Sequence, residues 1–281
     1  MENGNTHILL IDCPDEKGLV YRITGVLYRH HLNIIRNNEF VNRDTSHFFM
    51  RTEFAGNFNP GALCDDLGRD LPVLSRIRLV DMRKKNIVVL ATKEHHCLGD
   101  LLLRNEFNRL ASNILAVISN HEVLRSLTER FSIPFHYLPH EGMTREEHEA
   151  GIISVLDAYG PEYLVLAKYM RVLTPAFVTR YPNRIINIHH SFLPAFIGAN
   201  PYRQAYERGV KIIGATAHFV NSSLDEGPII HQGIVPVAHT HSVEDMMQAG
   251  RDVEKTVLAR ALNLVFEEKV FVDGNKTIIF D

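Results

Sequence analysis

From Asn86 onward the chain alternates short apolar runs with amphipathic segments, and that rhythm constrains its fold more than any other feature. The runs "NIVVLAT", "NILAVIS", "PFHYLP", "YLVLAKY" and "RIINIHH" have the length of strands, and segments such as "CLGDLLLRNEF" and "REEHEAGIISVLDAY" separate them. Runs this apolar suit parallel strands covered by helices on both faces. Helix signals agree: Thr144 and Glu147 have capping-box spacing, and Pro175 follows Thr174, a residue suited to an N-cap. Open sheets of this kind bind ligands outside the carboxyl ends of their strands. The residues that close each run are therefore the first candidates for chemistry.

The first eighty residues follow a different pattern. "HILLID" reads as a strand, and Leu19, Val20, Ile23, Val26 and Leu27 then recur at helical spacing. "NIIRNNEFV" and "HFFMRTEF" read as strands joined by the turn "NRDTS", followed by a helix around "PGALCDDLGRDL" and a strand "RIRLVD". The order βαββαβ lets two helices cover one face of an antiparallel sheet. The charged stretch "DMRKKN" marks the break, which gives domains of 1–84 and 85–281, and 281 residues are enough for two cores.

Composition narrows the partners. A formal net charge of −3 provides no field that would steer the chain onto nucleic acid or an anionic membrane, so a small substrate is expected and neither of those partners is. The start lacks a basic segment followed by an uninterrupted apolar one, and no later run approaches the ~20 apolar residues that span a bilayer. A cytoplasmic chain is the expectation. Cys13, Cys64 and Cys97 are far apart with no CxxC, which suggests neither a disulfide framework nor a thiolate metal site.

The stretch "INIHHSFLPAFIGANPYRQA" begins as a buried strand and ends in polar groups. Alternation puts Asn187 and His189 on one side and His190 on the other, as far as the extended conformation lasts. An amide can donate to an oxygen gaining negative charge, and an imidazole can move a proton near neutral pH. Together they suit attack on a carbonyl. Spacing alone is equally compatible with two side chains that satisfy backbone groups at a strand end. Asp225, in the turn-forming "NSSLDEGPII", reads either as a turn carboxylate or as a base that orients water and His189. Among the 16 histidines, His239 and His241 could share a strand face and bind metal with His189 or His218. No HExxH spacing or Cys/His cluster supports that, so no metal is expected.

"NIHHSFLP" and "LDEGPII", preceded by "LAKYMRVLTPAF", resemble the folate-dependent formyltransferase family, whose signature is Asn-x-His and a downstream Asp in an LDxGP loop. The resemblance covers Asn86 to the C-terminus and implies a Rossmann-like domain with a mostly parallel sheet. It implies that Asn187 and His189 polarise a formyl group and protonate the leaving nitrogen, while Asp225 supports proton transfer. It further implies a pterin pocket lined by Met170, Arg171, Val172 and Leu173 and by Ser222, Ser223, Leu224 and Gly227. No tightly bound cofactor is implied, because 10-formyltetrahydrofolate is the substrate.

Members that formylate glycinamide ribonucleotide hold its phosphate on a glycine-rich loop after the first strand. Here "VVLATKEHHCLGDLL" puts Lys93, Glu94, His95 and His96 in that place, and no RNA-binding extension of the kind that serves initiator tRNA is expected. Water remains as the acceptor, which makes the expected reaction hydrolysis to tetrahydrofolate and formate, supplying formate for purine and one-carbon metabolism. Transfer to an amine such as glycinamide ribonucleotide, or a catalytically silent sensor, are the alternatives. The N-terminal unit, with "DCPDEKGLVYRITGVL", resembles the ferredoxin-like ACT domain, a module that commonly binds amino acids between copies. The resemblance implies an effector loop at Asp15, Lys17, Gly18 and Leu19, or else a purely structural or oligomerising unit, and a homo-oligomer, dimer or tetramer, is expected. The two parts together resemble the formyltetrahydrofolate deformylases over essentially the whole chain.

Overall fold

A computed structural model describes residues 6–194 and 201–281, so the segment 195–200 of the stretch above lies outside the described residues. The chain divides into two compact units, one running to Arg83 and taking in Phe280–Asp281, the other Lys84–Ile279. No helix among the described residues is long and apolar enough to cross a membrane.

The first unit has the order β1 (Thr6–Pro14), α1 (Leu19–Arg29), β2 (Asn33–Asn42), β3 (His47–Ala55), α2 (Pro60–Asp70), β4 (Arg76–Asp81). Its strands pair in the order β2-β3-β1-β4, all antiparallel. Helical spacing brings Leu19, Ile23, Val26 and Leu27 of α1 onto Leu9, Ile11 and Cys13 of β1, with Leu63 and Leu67 of α2 beside them. Val20, counted with that face in the sequence, is instead exposed. The two helices start differently. Asn59 accepts from the Ala62 amide with Pro60 behind it, whereas α1 begins after Gly18 at φ 86 with no side-chain cap. Only glycine holds that left-handed conformation without a steric cost.

The second unit runs β5 (Lys85–Ala91), α3 (His96–Glu106), β6 (Ser112–Ser119), α4 (Arg125–Glu129), β7 (Phe135–Tyr137), α5 (Arg145–Tyr159), β8 (Tyr163–Ala167), α6 (Pro175–Arg180), β9 (Ile185–His189), α7 (Pro201–Arg208), β10 (Ile212–Phe219), β11 (Ile229–Pro236), α8 (Val243–Phe266), then the hairpin β12 (Val270–Asp273) and β13 (Lys276–Ile279). Seven strands form one sheet in the order β11-β10-β9-β8-β5-β6-β7. The strands from β9 to β7 are parallel, while β10 runs antiparallel to both β9 and β11.

Burial on both faces is visible in one strand. Ile87, Val89 and Ala91 of β5 pack into the core shared with α3 and α8, while Val88 and Leu90 pack into the opposite core with Ile152, Leu156 and Phe177. This is why the run reads as continuously apolar. The sheet grows outward from β5 to β6 and β7, then resumes on the other side of β5 with β8 and β9. That reversal opens a crevice at the carboxyl ends of β5 and β8.

Candidate active site

β9 ends at His189, whose ring sits in a wall of a cavity of about 280 Å³ together with Asn187 and Asp225. Asn187 and His189 are two residues apart on the strand and share a side of it, as alternation requires. Asp225 reaches them from the loop between β10 and β11, at φ 56. A non-glycine residue at positive φ is uncommon, though aspartate tolerates it better than most. Here the conformation is held by its partners: Asp225 Oδ2 lies 3.3 Å from His189 Nδ1 and Oδ1 lies 3.6 Å from His218 Nε2.

The proton positions follow from those contacts. Burial by itself would raise the Asp225 carboxyl, but the hydrogen bonds and charge of His189 and His218 hold it well below the usual carboxylate range. An ionised carboxylate has no hydrogen to give, so Nδ1 of His189 is the donor. Nε2 of His189 is buried and has no hydrogen-bond partner. His218 donates from Nδ1 to the Phe219 carbonyl at 2.8 Å, and its Nε2, which faces Asp225, also lies 3.2 Å from Asn187 Nδ2. The Asn187 amide lines the cavity beside it and has a hydrogen to give a ligand.

The loops that frame the cavity are tied at both ends. Lys168 follows β8 at φ 60, its carbonyl accepting from Thr92 Oγ1 at 2.7 Å. Met170, Arg171, Val172 and Leu173 line the cavity. After them Thr174 caps α6, and the buried Glu149 accepts from the Thr174 amide at 2.8 Å. On the facing side Ser222, Ser223 and Leu224 contribute, with Met170, Val172 and Leu224 exposed as apolar lips.

Gly227, expected in the pocket, is buried outside its lining. A Cβ there would come within 1.8 Å of the Phe219 carbonyl oxygen, so the glycine lets the loop close against β10 rather than touching a ligand. His190 also departs from expectation. The strand stops at His189, so alternation ends there; the His190 ring stacks on that of His189 at 4.8 Å and 21° and lines the same cavity. Burial, then the charge of Lys168 and the adjacent His189, pushes its imidazole down to about 4. His239 and His241 do not share a strand face: they lie in a turn before α8, where His241 Nδ1 accepts from the Ala238 amide at 2.7 Å. In the first unit Asp15, Lys17 and Gly18 are exposed, whereas the Leu19 side chain belongs to the core and has only backbone to offer a ligand.

Lys168, Tyr169, Val220 and Asn221 also line the cavity and were not singled out from sequence, and His218, named there only as a possible metal ligand, lines it too. His218 had a signal, an imidazole inside the otherwise apolar run "IIGATAHFV", on a strand that pairs it with Asn187.

A second cavity of about 390 Å³ adjoins the first and shares Lys168, Met170 and His190 with it. At its edge Glu254, 1% exposed, accepts from His96 Nε2 at 2.7 Å and from the Tyr202 hydroxyl at 2.7 Å, with Lys168 Nζ at 3.3 Å. Ligand atoms of His96, Cys97 and Glu254 come within 4.8 Å of one another. Glu254 already has these three partners, and burial pushes the Cys97 thiol well up, so the donor set is closed by hydrogen bonds rather than arranged around an ion.

Comparison with known proteins accounts for both units. Residues 85–262 match the formyl transferase family and residues 7–63 the ACT domain. The formyltetrahydrofolate deformylases of Escherichia coli and Haemophilus influenzae are 61% and 60% identical, over 99% and 97% of this chain and 100% and 98% of theirs. The crystal structure of a formyltetrahydrofolate deformylase from Pseudomonas syringae superposes with a TM-score of 0.94 at 39% identity, covering 100% of this chain and 96% of that one. Family match, full-length identity and shared architecture agree, and the chain belongs to the formyl transferase family and, within it, to the formyltetrahydrofolate deformylases.

Proposed function

We propose that the chain hydrolyses 10-formyltetrahydrofolate to tetrahydrofolate and formate, making formate available to purine synthesis and one-carbon metabolism. The observation that carries this reading is the convergence of Asn187, His189 and Asp225 on one cavity, with His189 Nε2 buried and unpartnered. In this mechanism the Asp225 carboxylate holds His189 by its Nδ1 hydrogen, and Nε2 takes a proton from water as the water oxygen adds to the formyl carbon. An Asn187 amide hydrogen meets the oxyanion; a positioned donor of this kind is worth about 3 kcal/mol. The imidazolium then returns the proton to N10 as the carbon–nitrogen bond breaks. Formic acid departs and ionises. The folate is a substrate, and the mechanism calls for no tightly bound cofactor.

Water as acceptor is supported at the turn between β5 and α3. Where a phosphate would need bare backbone amides, Glu94 stands one residue before the helix N-cap, its carboxylate 3.4 Å from His96 Nδ1 and 3.6 Å from Arg251 Nε. A carboxylate at that end of a helix competes with any phosphate for it. One observation favours the second reading, transfer to an amine: the 390 Å³ cavity is large enough for such an acceptor.

An amino acid effector at the Asp15 to Leu19 loop and a homo-oligomer, dimer or tetramer, complete the proposal. Exposed Ile35 and Phe40 on the edge strand β2 fit the latter. A cytoplasmic setting fits the free thiols of Cys13, Cys64 and Cys97. The test is formate release by the purified chain. His189→Ala and Asp225→Asn should stay folded while losing roughly 100-fold to 10,000-fold in rate, and near-normal turnover in both would overturn the mechanism.

A further inference from the structure

The two cavities of the second unit are separated by very little: Lys168, Met170 and His190 line both. Of these, Lys168 is the one whose backbone is held in an unfavourable state. It sits at φ 60, a conformation that a glycine would take freely and that strains a lysine. Such a residue persists only where its surroundings fix it. Thr92 holds its carbonyl at 2.7 Å and Glu254 its ammonium at 3.3 Å, with Glu254 itself held by His96 and Tyr202. The residue is 5% exposed, so the chain retains a buried cation where the backbone alone calls for glycine.

The position of that cation bears on the acceptor. An amine seated in the 390 Å³ cavity would have to pass this partition to reach a formyl carbon beside His189. Near neutral pH such an amine arrives protonated, and a second ammonium in its path opposes it. Water, uncharged and with a volume of about 30 Å³, is opposed by neither bulk nor charge.

Building on the hydrolase reading above, we propose that Lys168, anchored by Glu254, is the specificity-determining residue that reserves the formyl group for water by closing the catalytic cavity against the chamber beside it. The strained backbone and the buried ion pair are what this separation requires.

The test is a partition ratio. The full-length protein is given 10-formyltetrahydrofolate and an excess of glycinamide at neutral pH, and formylated amine is measured against formate. In Lys168→Gly, which relieves the positive φ, the ratio should rise about tenfold over wild type, the scale on which a pocket contact discriminates acceptors. Lys168→Gly combined with Glu254→Gln should do the same without leaving a carboxylate short of a partner, and it decides the matter if the single variant does not fold. Met247→Ala, which alters the second cavity away from the partition without changing its charge, should leave the ratio where it is. An unchanged ratio in the folded Lys168 variants, or an equal rise in Met247→Ala, overturns the assignment. Failure of wild type to release formate without any amine would instead sink the hydrolase reading, so the two failures are distinct.

Discussion

His190 shows how little of a side chain's behaviour follows from its identity. Its ring stacks on His189 and lies within the influence of Lys168, and burial with that charge pushes its imidazole down to about 4. An unfolded histidine titrates near 6.5. As pH falls from about 6.5 towards 4, the unfolded chain therefore binds a proton that the folded chain refuses, and folding loses stability in that window. His190→Gln has no such proton to refuse. Urea denaturation of wild type and variant between about pH 7.5 and 4.5 should show wild type losing ground to the variant on acidification, with no change in their difference above about pH 7. A constant difference throughout would mean that the folded imidazole titrates normally. Asp225 acts with the same sign in a lower window: its depressed carboxyl stabilises the fold above the usual carboxylate range and loses that contribution as the pH falls below that range.

At the scale of elements, two glycines separate space from conformation. Gly227 lies where a Cβ would meet the Phe219 carbonyl at 1.8 Å, so Gly227→Ala must push the loop off β10 and carry Asp225 with it. A loss of about 1–3 kcal/mol, read from thermal unfolding, should accompany a fall in formate release. Gly151, inside α5 with nothing within 4 Å of where a Cβ would stand, has no such constraint, and Gly151→Ala should gain roughly 0.5–1 kcal/mol with activity kept. A loss from Gly151→Ala, or tolerance of Gly227→Ala, would show the space to be other than described. The same contrast explains what the sequence disclosed. Strands buried on both faces, such as β5, and helices with explicit caps at Thr144 and Thr174 are written in local pattern, and so their elements were legible. Asn187, His189 and Asp225 were legible as motif residues. The stop of β9 at His189, which turns His190 into the cavity, depends on long-range anchors: Thr216 Oγ1 donates to the Ser191 carbonyl at 2.9 Å and accepts from the Leu193 amide at 3.1 Å. Thr216 is far from both in sequence, and no period reveals it. Lys168 and Glu254 were hidden for the same reason, pairing with each other across a long stretch of chain.

On the scale of the whole molecule, the proposed catalytic residues and the expected effector site belong to different units. Asn187, His189 and Asp225 and both cavities fall within Lys84–Ile279, while Asp15 and Lys17 fall within the unit that runs to Arg83. A unit that only stabilises or oligomerises the chain would leave the rate indifferent to amino acids. A regulatory unit must bind its ligand with different affinity in more and less active states, because equal affinity shifts nothing. Coupling of about 1–3 kcal/mol, typical between sites, corresponds to roughly 5-fold to 150-fold in affinity. Formate release by the full chain should therefore change several-fold with at least one member of a panel of amino acids. Asp15→Ala with Lys17→Ala alters two exposed side chains outside the catalytic unit, so its basal rate should match wild type while the response disappears. A response that survives in that variant moves the effector elsewhere. Indifference of the wild-type rate to the entire panel assigns the first unit a structural role.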